Sequence, residues 1–563
     1  MHSTTTLLIT SLVALFLYKT IRLFYYLRLA RATTLPYAIT PFLETEAVSL
    51  LMNPVLRYIY RSHLDRSEGW PRWCRFFIKD WSWEDKRRAH DEYGDVFLCV
   101  SPEGIICYSA DATLGWDVMN RRNDFTKPRD KYKILEPYGP NVATAEGKTY
   151  QFYVRITAPP FSDLSGVNSL VWKETMYQTN LLTEAWSQSP PQEIQLDVNP
   201  NAGALNDTVR YMVPILLIPR WLLNITLWKK AAVAHAQLDR YLRQIIRDQR
   251  AKLSADINHD DADSRGNLLT AVVRASMILD REKASAESPR QSEERTKGFT
   301  DDETMGNLFI YLLAGGSDRH IPCGGFSNSD PAQVTRPQLT PLFTGSLCWL
   351  STWKSRTKVI DEIDQVYQRA QAANRSELTY EDDFELLEYT YGFMYETFRL
   401  FPGVTLITKV ASKPEHIITD GPNGSRKSYV LPAETRVYLS APGVHYHPKY
   451  WPEPYKLDPG RWLSARGASN TTATNGKRVV ASDRTRQMRG KLLTFLDGSR
   501  ACLGRKFAQA EYIAFFVSLL RRYRVELAPG SDPAVVERDL YGKSGGKITL
   551  TPLDSVQLLI RSR

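Results

Sequence analysis

The first eighteen residues carry no Lys, Arg, Asp or Glu, and their centre, Leu7 to Tyr18, is strongly apolar. Lys19, Arg22, Arg28 and Arg31 follow, and the first acidic residue is Glu44. A bilayer span takes about 20 apolar residues, so the run is slightly short. Lys19 can snorkel, and Ile21, Leu23, Phe24, Tyr25 and Tyr26 extend the apolar surface toward the headgroups. A cleaved signal peptide has its positive charge before the apolar run, whereas here the charge follows it. The pattern therefore predicts an uncleaved N-terminal transmembrane helix with the rest of the chain on the cytosolic side. Downstream, apolar residues recur at helical spacing over Ala231 to Lys252, Thr300 to Ala314, Ser355 to Ala372 and Phe384 to Leu400. Short strand-like runs lie at Val96 to Val100, Gly104 to Ser109, Ser428 to Leu431 and Thr435 to Leu439. Polar stretches at Ser254 to Asn267, Arg281 to Gly298 and Ala465 to Arg489 read as solvated loops. None of them separates two independent cores. The expected architecture is mainly α with small β-sheets: an anchor with its basic flank over 1–35, then one large domain over 36–563.

Composition narrows this picture. The chain has 563 residues, 43% hydrophobic and 24% charged, which excludes global disorder. Its net charge of +10 admits nucleic acid, an anionic membrane or an acidic protein as partner. Blocks of Lys/Arg of the kind found in nucleic-acid arms are missing, so no nucleic-acid partner is expected. Six cysteines without a C-x-x-C pair argue against a disulfide-stapled fold or a structural zinc site. The chain has no G-x-S-x-G elbow, P-loop lysine motif or H-E-x-x-H. His445 and His447, two apart in a Pro-rich stretch, read as structural rather than metal-ligating.

The most informative segment is FLDGSRACLGRKFAQAE, Phe495 to Glu511. A helical pattern (Phe507, Ala508, Ala510, Ile513, Ala514) begins just after Cys502, which places the cysteine in a loop at a helix N-terminus. Free amides and the positive helix end favour a thiolate there. Such a thiolate can ligate haem iron and push electron density onto it. Gly498 and Gly504 would admit a flat macrocycle close to the backbone. Arg500 could hold a haem propionate, and Phe495 could shield the sulfur. A lone cysteine before a helix is ordinarily a small buried hydrophobe, and Cys74, Cys99, Cys107, Cys323 and Cys348 read that way.

The segment resembles the haem-binding signature F-x-x-G-x-R-x-C-x-G of the cytochrome P-450 haem-thiolate monooxygenases, with Phe495, Gly498, Arg500, Cys502 and Gly504 at the fixed positions. Upstream, YETFRLFP resembles the family's E-x-x-R helix with Glu396 and Arg399, and KLDPGRWL resembles its P-x-R segment with Pro459, Arg461 and Trp462. From Asp91 onward the resemblance covers most of the chain in the family's order, and it looks most like the microsomal, membrane-anchored branch. It implies a single haem domain, Cys502 as axial metal ligand, and a buried salt-bridged cluster of Glu396, Arg399 and Arg461 that fixes the meander before the cysteine loop. It also implies O2 and a small organic substrate, with NADPH electrons delivered by NADPH–cytochrome P-450 reductase and the haem domain facing the cytosol at the endoplasmic reticulum. Arg489, Lys491, Arg505 and Lys506 near the cysteine loop are positioned either to dock an acidic electron donor or simply to be solvated.

The pattern breaks in two places. Where the family carries W-x-x-x-R, the sequence GKTYQFYVRITAPPF puts Tyr150 at the Trp position and Val154 at the Arg position. Arg155, one step of about 100° away, and Lys409 are the replacement candidates for the propionate. The family's oxygen-site helix carries [AG]-G-x-[DE]-T-[ST]; here Ala314 and Gly315 open that box, and a Pro- and Gly-rich stretch follows. Residues 317–344 thus interrupt a helix that the fold needs continuous. One hypothesis is translated intron: QLTP can be encoded around CTAAC and PLFTG around a pyrimidine run ending in ACAG. The rival is a genuine insertion, with Asp318 or Thr344 serving the proton relay. An interrupted box leaves two alternatives to monooxygenation: a haem-thiolate isomerase or dehydratase that needs no O2, or an inactive haem binder. The substrate is not legible, because a site and not a fold defines it.

Overall fold

The computed structural model describes residues 2–44, 46–60, 69–162, 165–188, 194–196, 215, 229–255, 268–285, 298–316, 353–421, 425–463, 488–527, 529–542, 544–546, 550–552 and 556–563. The charge-free run lies on a 31-residue helix, α1 (His2–Ala32). Its outer part exposes Leu7, Leu12, Phe16, Ile21 and Phe24, whereas Leu27 and Ala30 are buried in the core with Leu35. Lys19 reaches the carboxylates of Glu103 and, at 3.8 Å, Glu46. No helix of the described residues is long and apolar enough to cross a membrane. The inner end of α1 thus belongs to the body of the protein rather than to a separate anchor segment.

One six-stranded sheet runs in the order β1-β2-β3-β9-β6-β4. Strands β1 (Tyr37–Ile39), β2 (Val96–Ser101) and β3 (Gly104–Ser109) lie on one side, and β9 (Arg436–Ser440), β6 (Leu406–Ala411) and β4 (Phe125–Thr126) on the other. Strand β2 is buried along its whole length, as a strand covered on both faces must be. One face meets Leu27 and Ala30 of α1, and the other meets an aromatic cluster containing Trp70, Phe76, Phe77 and Trp81. Strand β5 (Ile194–Leu196) belongs to a separate three-stranded sheet, and β7 (Glu415–Asp420) pairs antiparallel with β8 (Arg426–Leu431).

The helical part carries the site. Along the chain come α2 (Ala47–Ile59), α3 (Ala112–Asn120), α4 (Gly147–Thr157), α5 (Val167–Gln188), α6 (Lys229–Ala255) and α7 (Leu268–Ser285). They are followed by α8 (Asp301–Gly316), α9 (Trp353–Ala372), α10 (Glu388–Leu400) and α11 (Arg505–Arg522). Helices α5, α9, α10 and α11 share a core of Trp172, Ile363, Phe393, Phe516 and Leu520, and α4, α6, α7 and α8 share another. The start of α8 is fixed by a reciprocal cap: Glu303 N donates to Thr300 Oγ1 at 3.2 Å, and Thr300 N donates to a Glu303 carboxylate oxygen at 2.9 Å.

Two expectations shift. The periodicity over Phe384 to Leu400 is not one helix: a 3₁₀ turn, Phe384–Leu386, precedes α10. Glu362 on α9 accepts from the amides of Tyr389 and Thr390, at 2.6 and 2.8 Å, and so caps α10 from outside its own sequence. Helix α7 runs to Ser285, into the stretch from Arg281 that reads as a loop. The interrupting segment 317–344 lies outside the described residues, as does most of 465–489; α8 ends at Gly316 and α9 begins at Trp353.

Candidate active site

The cysteine loop is built between α10 and α11. Cys502 lies three residues before α11, and its amide donates to the carbonyl of Phe495 at 2.8 Å, folding the segment back on itself. Gly498 sits at φ +72°, and a Cβ there would lie 2.8 Å from Asn120 Oδ1, so this turn requires glycine. Phe495 packs edge-on against Phe398, with centroids 5.5 Å apart, and against Tyr395. Cys502 is exposed, whereas Cys74, Cys99 and Cys107 are buried. Burial pushes the Cys74 thiol up to about 11, the Cys107 thiol up to about 12 and the Cys99 thiol upward as well. Among the described cysteines only Cys502 is open to a ligand; Cys323 and Cys348 lie outside the described residues.

Behind the loop, Glu396 is fully buried and its carboxylate accepts from every side. Arg399 Nε and Nη2 donate at 2.9 and 2.7 Å, Arg461 Nε at 3.1 Å, Trp462 Nε1 at 2.9 Å and the Asp458 amide at 3.1 Å. The remaining Arg399 donors reach the carbonyls of His445, Pro454 and Lys456. The three residues expected to cluster do so, and Trp462 joins them. A buried ion pair is tolerable only with this degree of satisfaction.

In front of the loop the structure gathers cations. The Arg500 guanidinium lies 3.2 Å from the centroid of the Tyr150 ring, bonds the carbonyl of Ala145 at 3.1 Å and pairs with Glu146. Tyr150, on α4, donates through its hydroxyl to the carbonyl of Ser499 at 3.0 Å. Lys409, on β6, is buried, and burial lowers its pKa. Lys127, a residue that the sequence did not single out, joins them. Burial pulls it down to about 7, and the neighbouring Arg500 and Lys409 charges add to the effect. Three cations thus surround one carboxylate, a balance that favours binding further anions. Arg155 is not brought to this group. It is exposed, with its guanidinium over Phe152, because one helical step turns it away from Tyr150. Ala314 and Gly315 occupy the last turn of α8.

The match to known proteins is extensive. Residues 354–550 match the family model described as Cytochrome P450. The chain is 45% identical to "Cytochrome P450 monooxygenase ORF6" of Penicillium roqueforti over 590 aligned positions, covering 98% of this chain and 97% of that one. It is equally similar, with the same coverage, to "Cytochrome P450 monooxygenase prx9" of Penicillium rubens. The chain belongs to the cytochrome P450 monooxygenases. In fold it resembles a cytochrome P450DA heme domain, with TM-score 0.59, 15% identity and coverage of 94% of this chain and 98% of that one.

The cofactor of this family is haem held by a cysteine thiolate, with electrons supplied by a redox partner. Two observations test whether this chain fits it. A Cβ on Gly504, beside Cys502, would meet nothing within 4 Å, and its φ is not in the left-handed region. Neither the backbone nor a neighbour among the described residues therefore demands glycine there, which leaves room for a flat group. Among the described residues, Glu146 is the carboxylate that Arg500 pairs with and that acts on Lys127 and Lys409, so three cations share one carboxylate, and haem carries two propionates. Both observations fit haem.

Proposed function

We propose that this P450 uses Cys502 as the axial haem ligand and inserts one atom of O2 into an apolar or amphipathic small organic substrate. Bound haem supplies the oxygen-activating chemistry. The chain's own residues hold it: Lys127, Lys409, Arg500 and Tyr150 take the propionates, and Phe495 screens the sulfur from water. The Glu396–Arg399–Arg461 cluster keeps the meander fixed behind the loop. Electrons come from NADPH through a cytochrome P450 reductase. The exposed Arg489 and Lys506 on the cysteine-loop side suit an acidic docking face. The outer part of α1, with Leu7, Phe16 and Phe24 outward, inserts into the endoplasmic-reticulum membrane, leaving the haem domain in the cytosol.

The observation that carries this reading is the exposed Cys502 held at the start of α11 between a glycine facing open space and an under-neutralised cationic pocket. The experiment is the reduced, CO-bound spectrum of protein expressed with haem precursor, followed by turnover with a reductase. A thiolate-type band that disappears in C502A, with NADPH-dependent oxygenated product, is the expected result. Turnover that proceeds without NADPH would instead indicate an isomerase or dehydratase. Residues 317–344 are read as translated intron; a dominant transcript containing these codons would overturn that.

A further inference from the structure

The cysteine loop must be held from behind, yet neither Arg399 nor Glu396 touches it directly among the contacts described above. The group between them is His445. It closes the short helix Ala441–His445, every residue of which is buried. Its Nδ1 lies 2.9 Å from the carbonyl oxygen of Arg399, and its Nε2 accepts from the amide of Leu493 at 2.8 Å. These partners fix the tautomer: Nδ1 carries the proton and Nε2 the lone pair. Arg399 returns the contact, donating through Nη1 to the His445 carbonyl at 2.8 Å. Next to it, the Tyr446 hydroxyl donates to the Leu400 carbonyl at 2.5 Å. On the loop side, Thr494 Oγ1 donates to the Phe398 carbonyl at 3.1 Å, and the next residue, Phe495, accepts from Cys502. The sequence of bonds runs without a gap from the end of α10, through the imidazole, to the backbone that leads into the ligand loop.

We propose that His445 is a positioning residue for the haem ligand, its ring bridging the C-terminal end of α10 to the Leu493 amide and so holding the Cys502 loop at the register that keeps the sulfur bound as thiolate. The inference rests on the reading of Cys502 as axial ligand. Burial and the Arg399 charge pull the His445 ring down to about 3, so the ring stays neutral and its donor–acceptor pattern holds throughout the range in which the enzyme works. A histidine that only filled space would need neither contact. Here both nitrogens are spent on backbone groups of two different elements, and an apolar ring of similar size would satisfy neither.

The test compares H445F, H445Q and T494V with H447F. His447 is buried only two residues away but bonds Asp95 at 3.1 Å and the amide of Lys449, not the loop. Each variant is brought to equal haem content, and the reduced, CO-bound spectrum is resolved into its thiolate and thiol forms. H445F is expected to raise the ratio of thiol to thiolate form at least several-fold. H445Q and T494V should move it less but in the same direction. H447F should lower the melting temperature and leave the ratio unchanged. Wild-type ratios in the folded His445 variants and in T494V overturn the proposal, as does an equal shift in H447F. If H445F yields no folded protein, H445Q and T494V decide by the same criterion. A thiolate band that persists in C502A sinks the ligand reading instead, and leaves the hydrogen-bonded bridge as a structural fact.

Discussion

Replacing Glu396 by alanine removes the centre of a cluster in which five hydrogen bonds converge on one carboxylate. Arg399 is fully buried, so water cannot replace the lost partner, and its charge is left in a low-dielectric interior. Breaking a buried pair in this way costs about 3–5 kcal/mol. Against a total folding stability of about 5–15 kcal/mol, that is a large share. Arg399 keeps its three carbonyl partners, which holds the loss below full exposure of a naked charge. E396Q keeps one acceptor oxygen and the side-chain volume but removes the carboxylate charge and turns an NH2 toward at least two of the five donors, so it should still cost about 1–3 kcal/mol. The double variant E396L/R399M removes both charges and should recover part of the E396A loss. The assay is urea unfolding of the haem-loaded protein followed by tryptophan fluorescence, with the slope checked for constancy. A shift below about 1 kcal/mol in E396A, or a double variant that simply adds the two single losses, would refute the reasoning.

Haem affinity should fall as pH rises above about 7, by up to about tenfold per unit, because propionates raise the pKa of Lys127 and binding then takes up a proton; haem titration between pH 6.5 and 8.5 reads this, and K127M should flatten it. Acid should destabilise the fold through His90 and His445, which burial holds down to about 4 and about 3. Their contribution is complete above the unfolded value of 6.5 and is lost as pH falls toward those values, about 2 kcal/mol each at pH 5, measurable as a falling urea midpoint. G498A should cost about 1–2 kcal/mol and lower haem loading, since the turn sits at φ +72° with Asn120 close by; unchanged loading would show that the turn adapts.

The fold class, the cysteine loop and the Glu396–Arg399–Arg461 cluster were legible in the chain, because each is written in local spacing. Four fixed residues in a ten-residue signature frame Cys502, an i, i+3 pair marks one helical face, and apolar periodicity marks α6, α8 and α9. The proposed propionate partners were legible only in part. Tyr150, Arg500 and Lys409 came from motif positions, whereas Lys127 has no local signal, being an ordinary lysine ahead of a proline. It becomes notable only when β4, β6 and the cysteine loop bring its charge beside Arg500 and Lys409. Arg155 shows the converse. Proximity in sequence suggested it, and helix geometry turns it to solvent.

By itself, then, the sequence determined which elements form and which residue types carry the chemistry, since hydrophobic period, breakers and motif spacing act over a few residues. Only the tertiary structure decided how those elements end and what they share. Glu362 caps α10 from a neighbouring helix, His445 joins the end of α10 to the loop 48 positions further on, and the inner turns of α1 pack into the core. Burial is the physical reason. A polar group removed from water must find its partner wherever the fold places one, and that partner need not be near it in the chain.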